Sequence, residues 1–146
     1  MSDLAALHDA VHADDADRLA ALLDADPALV DADLEDGMTP LLCAAGHGSA
    51  AATRLLIERG ADLEKPDGDH QDSPLGWAAF YAQREVAALL IAAGANLGFH
   101  DKYGKTPLGY AIAGEAGELR PYGVTAPPEA FHAVAEVLRA AGAPEA

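Results

Sequence analysis

The sequence predicts an all-α protein built as a solenoid of four stacked helix-turn-helix units. Two stretches of the chain nearly superimpose, since the interval from Pro40 to Pro74 equals the interval from Gly60 to Gly94. A period of this length, about 34 residues, is typical of repeat proteins in which each unit leaves an apolar face bare until its neighbour covers it. The prolines and glycines of these stretches also fit helix ends, because proline is favoured at the first position of a helix and glycine just after its last turn.

The same register extends beyond the two clear copies. Counting back one period from Leu41 gives Leu7, and the same count from Leu56 gives Leu22, which predicts a first unit ahead of them. A fourth unit opens at Pro107, slightly less than one period after the corresponding proline of the third. The chain is therefore expected to form a single domain, 1–146, with units at about 4–35, 36–67, 68–101 and 102–143.

Each unit is expected to contain two short helices. Thr39, Ser73 and Thr106 are placed to cap the first helices, because a hydroxyl can accept a hydrogen bond from an unpaired amide of the first turn. The proline that follows each of them is tolerated there, since that position does not use its N–H. Second helices are predicted at about 51–59 and 85–93, each ending at a glycine suited to a left-handed backbone.

Short hairpin-like fingers are expected between the units. Asp36-Gly37 and Tyr103-Gly104 suit tight turns, because both pairs end in a glycine that tolerates the left-handed backbone of such turns. In the third unit Gln71 holds the place of this glycine. The third finger is therefore expected to differ in shape.

These units resemble the ankyrin repeat family. The matching residues are Thr39-Pro40-Leu41, Ala44-Ala45, Gly48, Leu56-Ile57 and Gly60-Ala61-Asp62 in one copy, and Pro74-Leu75, Ala78-Ala79, Leu90-Ile91 and Gly94-Ala95-Asn96 in the next. The resemblance spans about residues 4–143, and the lean alanine-rich composition is similar to small stand-alone bacterial members. The family's histidine after Thr-Pro-Leu is replaced here by Leu42, Gly76 and Gly109, and it remains only at His8. The sequence therefore leaves open which groups hydrogen-bond the turns.

Composition argues against several functions. The net charge is −15, with acidic residues in every unit and no basic stripe, so nucleic-acid binding is not expected. No basic lead precedes an apolar run at the N-terminus, and no stretch approaches membrane-spanning length, so neither secretion nor membrane insertion is expected. The single cysteine, Cys43, fits a reducing compartment, and a cytoplasmic monomer is expected.

Two local patterns imitate catalytic motifs without completing them. His8 and His12 have the spacing of a zinc-protease helix, but no third ligand follows at a suitable distance. Cys43 and His47 also lie four positions apart on one predicted helix, yet Cys43 falls at a position that other units fill with different bulky side chains. We therefore predict no catalytic residue, no metal site and no cofactor.

The resemblance implies a partner-binding surface on the finger tips and on one face of the first helices. The residues that map to this surface are Met38, His47, Asp69, His70, Asp72, Phe80, Tyr81, Lys102, Tyr103 and Lys105, with His12, Glu35 and Asp36 beside them. Aromatic side chains surrounded by charge have the composition of a binding hot spot. Alternatively, one of the rings, Phe80 or Tyr81, packs inward against the next unit. The histidines either make binding pH-dependent or are ordinary exposed residues.

The last unit contains an insertion at about 115–128 that joins its two helices. Pro107 and Gly142 lie much farther apart along the chain than the corresponding proline and glycine of units two and three. The glycine and proline content of the insertion indicates a loop. This loop either covers the outer face of the terminal unit or reaches the partner with Arg120 and Tyr122. Arg139, at a position held by isoleucine in units two and three, favours a stack that ends here.

Two main functions follow from the sequence. The first is an adaptor or inhibitor that binds another protein with a basic or apolar contact surface. The alternative is a small-molecule binder or unusual enzyme whose pocket lies between the concave face and the 115–128 insertion, with His47, Tyr81 and Tyr122 as polar groups. A third possibility is self-association through the aromatic residues.

Overall fold

The computed structural model describes residues 2–145, and within them the chain is all-α, as predicted. Its helices are α1 (Asp3–His12), α2 (Ala16–Ala25), α3 (Pro40–His47), α4 (Ala50–Glu58), α5 (Pro74–Phe80), α6 (Arg84–Ala92), α7 (Pro107–Glu115) and α8 (Pro128–Ala140). Short 3₁₀ helices occupy Pro27–Asp31 and Arg120–Tyr122. None of the helices described within residues 2–145 has the length and apolar character needed to cross a membrane.

The predicted caps are confirmed at both ends of the helices. The hydroxyls of Thr39, Ser73 and Thr106 each accept a hydrogen bond from the amide three residues later, at 3.1–3.2 Å. The proline after each of them is the first helical residue. Gly60 and Gly94 follow the second helices with left-handed φ values of 82° and 96°. The second helices α4 and α6 begin one residue earlier than the sequence predicts.

The helices stack in chain order as two layers. The first helices α1, α3, α5 and α7 contact one another in sequence, and so do the second helices α2, α4, α6 and α8, while each pair also packs across the layers. Leu41, Leu75 and Leu108 take the same fully buried position in three successive first helices. Each such leucine contributes roughly 2 kcal/mol by leaving water. Fully buried Ala44 and Ala78, also equivalent, let neighbouring helices approach closely.

The fingers form a connected row, although their shapes differ. In the second finger Asp36 and Gly37 both have left-handed φ values, 52° and 78°, and Glu35 and Met38 form an isolated β-bridge. In the third finger the left-handed residue is Gln71, with φ 56°. The amide of Gly68 donates to the Asp36 carbonyl at 3.0 Å, which ties the second finger to the third.

The insertion runs from the end of α7 to the start of α8, over residues 116–127. Leu119 and Val124 are each only 4% exposed and join the hydrophobic core. Tyr122, between them, is 73% exposed. One part of the insertion therefore packs on the stack, while its middle projects into solvent.

Candidate partner-binding groove

A depression with a volume of about 790 Å³ lies between the first helices and the fingers. Its lining comes from Ser2, α1, α3, α5 and the second finger. No residue of the second helices or of the 115–128 insertion lines it. We call this depression the groove. It is therefore not the pocket beneath the insertion that the alternative function requires.

The groove has an apolar floor and an acidic rim. Leu42 is fully buried beneath it, and partly buried Met38 and Trp77 pack against the core beside it. Asp9, Glu35 and Asp36 line its edge. An apolar centre with a charged rim is the usual anatomy of a protein-binding surface.

Aromatic rings continue the groove towards the fourth unit. The ring of Trp77 lies 6.0 Å from that of Tyr81, which lies 5.0 Å from Phe80, which in turn lies 5.3 Å from Tyr110. Tyr81 is 37% exposed, whereas Phe80 is partly buried against the core. Of the two alternatives for these rings, inward packing against the next unit thus applies to Phe80.

Asp67 organises the third finger. This carboxylate, 2% exposed, accepts hydrogen bonds from the amides of Asp69, His70 and Asp72 at 2.7–3.0 Å and from Trp77 Nε1 at 3.1 Å. Burial alone would raise the pKa of Asp67, but these hydrogen bonds outweigh it and the pKa lies below its usual value. The carboxylate therefore fixes both the finger and the Trp77 ring.

Asp101 plays the same part in the fourth finger. It accepts hydrogen bonds from the amides of Tyr103 and Lys105 at 2.9 and 3.0 Å and from the hydroxyl of Tyr110. Burial raises the pKa of Tyr110, and its hydrogen bond to Asp101 and the charge of that residue raise it further. The phenol therefore stays protonated and donates.

These aspartates were missed by the sequence analysis, although a signal was present. Asp33, Asp67 and Asp101 recur once in every period, and Asp33 accepts from the amide of Gly37 at 3.0 Å. The sequence left open which groups hydrogen-bond the turns where the family's histidine is missing. In this chain the three carboxylates do so, and Trp77 and Tyr110 donate further hydrogen bonds to Asp67 and Asp101.

Asp72 differs from the exposed finger contact that the sequence predicts. The residue is only 4% exposed, because its carboxylate lies over Gly76, where a Cβ would come within 2.1 Å of Oδ1. Burial raises the pKa of Asp72 to about 7, the amide of Ser73 lowers it in part, and the charges of Asp101 and Asp67 raise it further.

Three histidines gather beside the groove, and two of them, His8 and His47, line it. The ring of His12 lies 4.9 Å from His8 and 3.6 Å from His47. Burial lowers the pKa of His47, and charge on His12 or His8 lowers it further. Within the described part of the chain, no three His, Cys, Asp or Glu side chains are arranged to hold a metal ion.

Cys43 is a packing residue, as predicted. It is 6% exposed, and burial raises the pKa of its thiol to about 11. A thiol with this pKa stays protonated at neutral pH.

The predicted contact residues divide into four places. Met38, His47 and Tyr81 line the groove, while Asp69 and His70 line a second depression of about 560 Å³ between the second and third fingers. Phe80 and Asp72 line a small cleft beside it. Lys102, Tyr103 and Lys105 belong to the fourth finger, where the Lys102 ammonium lies 5.3 Å from the centre of the exposed Tyr103 ring, and they line none of these three cavities.

Comparison with known proteins points to one family. The family model described as "Ankyrin repeats (3 copies)" matches residues 7–101. "Ankyrin repeat and SAM domain-containing protein 6" of Mus musculus is 34% identical over 85 residues, 58% of this chain and 10% of the relative. "Ankyrin repeat domain-containing protein 17" of Homo sapiens is 38% identical over 72 residues, 49% of this chain and 3% of the relative. "Inversin" of Mus musculus is 39% identical over 80 residues, 54% and 7% of the two chains. The chain thus spans a tenth or less of these relatives.

Proposed function

The chain belongs to the ankyrin repeat family, whose members are generally protein–protein interaction modules, and from this we propose that it is a non-enzymatic adaptor or inhibitor. The partner is another protein that lies in the groove against Met38, His47 and Tyr81. The second and third fingers supply the remaining contacts, through Asp69 and His70 on the third.

One observation carries this proposal. The groove combines the apolar surface of Met38, Trp77 and Tyr81 with the acidic rim of Asp9 and Glu35. Burying such a surface stabilises a complex, while the rim favours partners with positive charge beside their apolar contact. The proposal needs no cofactor and no reactive group.

The proposal extends to the form and location of the protein. Its net charge of −15 supports a monomer that repels both further copies and nucleic acids. The buried, unpaired thiol of Cys43 is compatible with a reducing compartment, so we place the protein in the cytosol.

The test compares two baits in affinity capture from the cytosol of the source cell. The groove bait carries Met38→Ala and Tyr81→Ala, and the matched control carries Arg54→Ala and Glu58→Ala on the exposed side of α4. We expect the wild type and the control to retain the same protein and the groove bait to lose it. Calorimetry with the purified partner should then show at least about a tenfold weaker Kd for the groove variant.

Three outcomes would contradict the proposal. Partner binding lost only in the α4 control would place the interface on the second helices. Failure of every bait to retain a protein would remove the interaction itself. A small molecule that co-purifies with the wild type and is lost from the groove variant would favour the small-molecule alternative.

A further inference from the structure

We propose that a small cleft beside the third finger binds the ammonium group of a lysine side chain on the partner. The cleft has a volume of about 50 Å³ and is lined by His70, Asp72, Trp77, Phe80, Tyr81 and Tyr110. We call it the aromatic cleft. The inference rests on the proposed function, because it names the chemistry of one contact that the partner would make.

The walls of the aromatic cleft suit a cation. Four of its six lining residues are Trp77, Phe80, Tyr81 and Tyr110, although the whole chain contains only eight Trp, Tyr and Phe residues. Their rings meet at centroid distances of 5.0–6.0 Å and thus form a continuous surface. Aromatic faces attract ammonium groups within about 6 Å, and the attraction grows as water is removed.

Asp72 provides a negative charge inside this wall. One oxygen, Oδ1, accepts a hydrogen bond from the Ser73 amide at 2.8 Å, whereas Oδ2 accepts none from any residue within 2–145. No lysine or arginine among those residues pairs with it either. A buried carboxylate without a cation is costly, so a cation supplied by a partner would relieve that cost.

The surroundings of Asp72 leave its charge uncompensated. Asp67 and Asp101 face it from the third and fourth fingers, and both are already engaged by their own hydrogen bonds. Tyr110 donates its hydroxyl to Asp101, and His70 lies 3.5 Å from Asp67. Tyr81 is the remaining titratable group on the cleft wall. The aromatic cleft therefore has a negative potential with no internal counter-ion.

Size selects lysine over arginine. The cleft is small, with a volume of about 50 Å³. A lysine ammonium is a compact point charge on a slender stem, whereas a guanidinium is a broad plane with five donors. The lysine head fits this space with its alkyl stem along the exposed face of Tyr81.

The chain carries its own reporter for a test. Trp77 is the only tryptophan, so its fluorescence responds to the aromatic cleft. We would titrate the protein with n-butylammonium, which copies the end of a lysine side chain, and with neutral n-butanol, at pH 8 and constant ionic strength. The variants are Asp72→Asn and, as the matched control, Glu85→Gln, which removes one charge from the exposed start of α6 in the same unit.

We expect n-butylammonium to saturate the wild type and the Glu85→Gln variant with affinities within roughly twofold of each other. Asp72→Asn should weaken binding by at least about tenfold, since it removes the ionic hydrogen bond. In the wild type, saturating n-butylammonium should also lower the pKa of Asp72, measured by NMR. A tenfold preference for the ionised cleft corresponds to one pKa unit, about 1.4 kcal/mol.

Several results would overturn the inference. These are equal affinities of wild type and Asp72→Asn, equal binding of n-butanol and n-butylammonium, tighter binding of n-butylguanidinium, or no saturable signal at all. Thermal melts of both variants guard against unfolding as a cause of lost binding. No partner enters this experiment, so failure here would leave the groove and the proposed function standing.

Discussion

Units two and three are built on one scaffold and differ on the side that faces the groove. The scaffold positions keep proline at the start of the first helix, alanine at Ala44 and Ala78, and glycine after the second helix. On the groove side, the apolar pair Met38 and Leu42 of unit two is replaced one period later by Asp72 and Gly76. Both units still stack in the same way.

The difference shows which constraints act on each position. A scaffold residue is set by its neighbours in the stack, and Leu41 and its equivalents are therefore all fully buried. A surface residue is set by the surface that it presents, and beside the aromatic cleft the space left by Gly76 admits the Asp72 carboxylate where unit two has the Leu42 side chain. We expect the exchange to cost stability, because it buries a carboxylate, and this carboxylate lines the aromatic cleft.

The largest expected effect comes from replacing Gly76 with leucine, the residue that unit two has at the equivalent position, Leu42. Gly76→Leu should destabilise the protein by roughly 3 kcal/mol, because its Cβ would meet the Asp72 carboxyl at 2.1–2.3 Å. Adding Asp72→Met rebuilds the pair of unit two and should recover most of the loss. Urea unfolding followed by circular dichroism measures both, and the two changes proving additive would show that these positions are not coupled.

The second prediction concerns the buried charge alone. The pKa of Asp72 is about 7 in the folded protein and 3.8 as its ordinary value, so the folded state holds a proton that the unfolded state releases between these pH values. The free energy of unfolding should therefore fall as the pH rises from about 4 to 7. Above pH 7 the whole of this loss remains. Asp72→Asn removes this pH-dependent contribution.

Asp72→Asn should accordingly be more stable than the wild type by roughly 2 kcal/mol at pH 8, within the limit of about 4 kcal/mol set by the pKa difference. The advantage should vanish near pH 4. Free energies of unfolding in urea at pH 4, 6 and 8 give the comparison, and Glu85→Gln, at an exposed position of α6, is the control. An advantage independent of pH would mean that the carboxylate is not the cause.

The sequence predicted the scaffold well because its signals repeat. The caps, the helix ends and the leucine positions each recur in phase, and stacking requires the same residue types each time. The first unit is less regular: counting in whole periods points to Leu22, whereas the structure buries Leu23 more fully, at 1% exposure. A longer α2, with ten residues against nine in α4, accompanies this shift.

The lining of the groove is harder to predict than the scaffold, because equivalent positions of units two and three hold different residue types. Tyr81 and Met38 line the groove, but Asp72 was expected on an exposed tip, and its burial depends on the absence of a side chain at Gly76. The roles of Asp67 and Asp101 depend on hydrogen bonds to Trp77 and Tyr110, ten and nine residues further on. Such pairings are set by finger shape and not by spacing alone.

The third prediction uses the turns that end the first helices of the two units. Gly48 has a φ of 75°, whereas the equivalent Ala82 adopts a similar value of 59° with a side chain that disfavours it. Ala82→Gly should therefore stabilise the protein by roughly 0.5–1 kcal/mol. Gly48→Ala should destabilise it, because its Cβ would meet the side chain of Gln83, which donates to the Gly46 carbonyl. Melting temperatures that move in the same direction for both variants would contradict this account.

The smallest expected effect concerns His47, which stands where unit three has Tyr81. The pKa of His47 is lowered by burial and by charge on His12 and His8, so protonation is less favourable in the folded state. Stability should therefore decline as the pH falls below 6.5, the ordinary pKa, and the loss is complete once the pH is below the folded value. Because His47 is exposed, solvent screening limits this loss of stability to roughly a few tenths of a kcal/mol.

His47→Tyr should remove the dependence, measured as the difference in unfolding free energy between pH 7.5 and 5.5. His132→Tyr on α8, outside the cluster, should keep it. If both variants kept the full dependence, the groove histidines would not be its source.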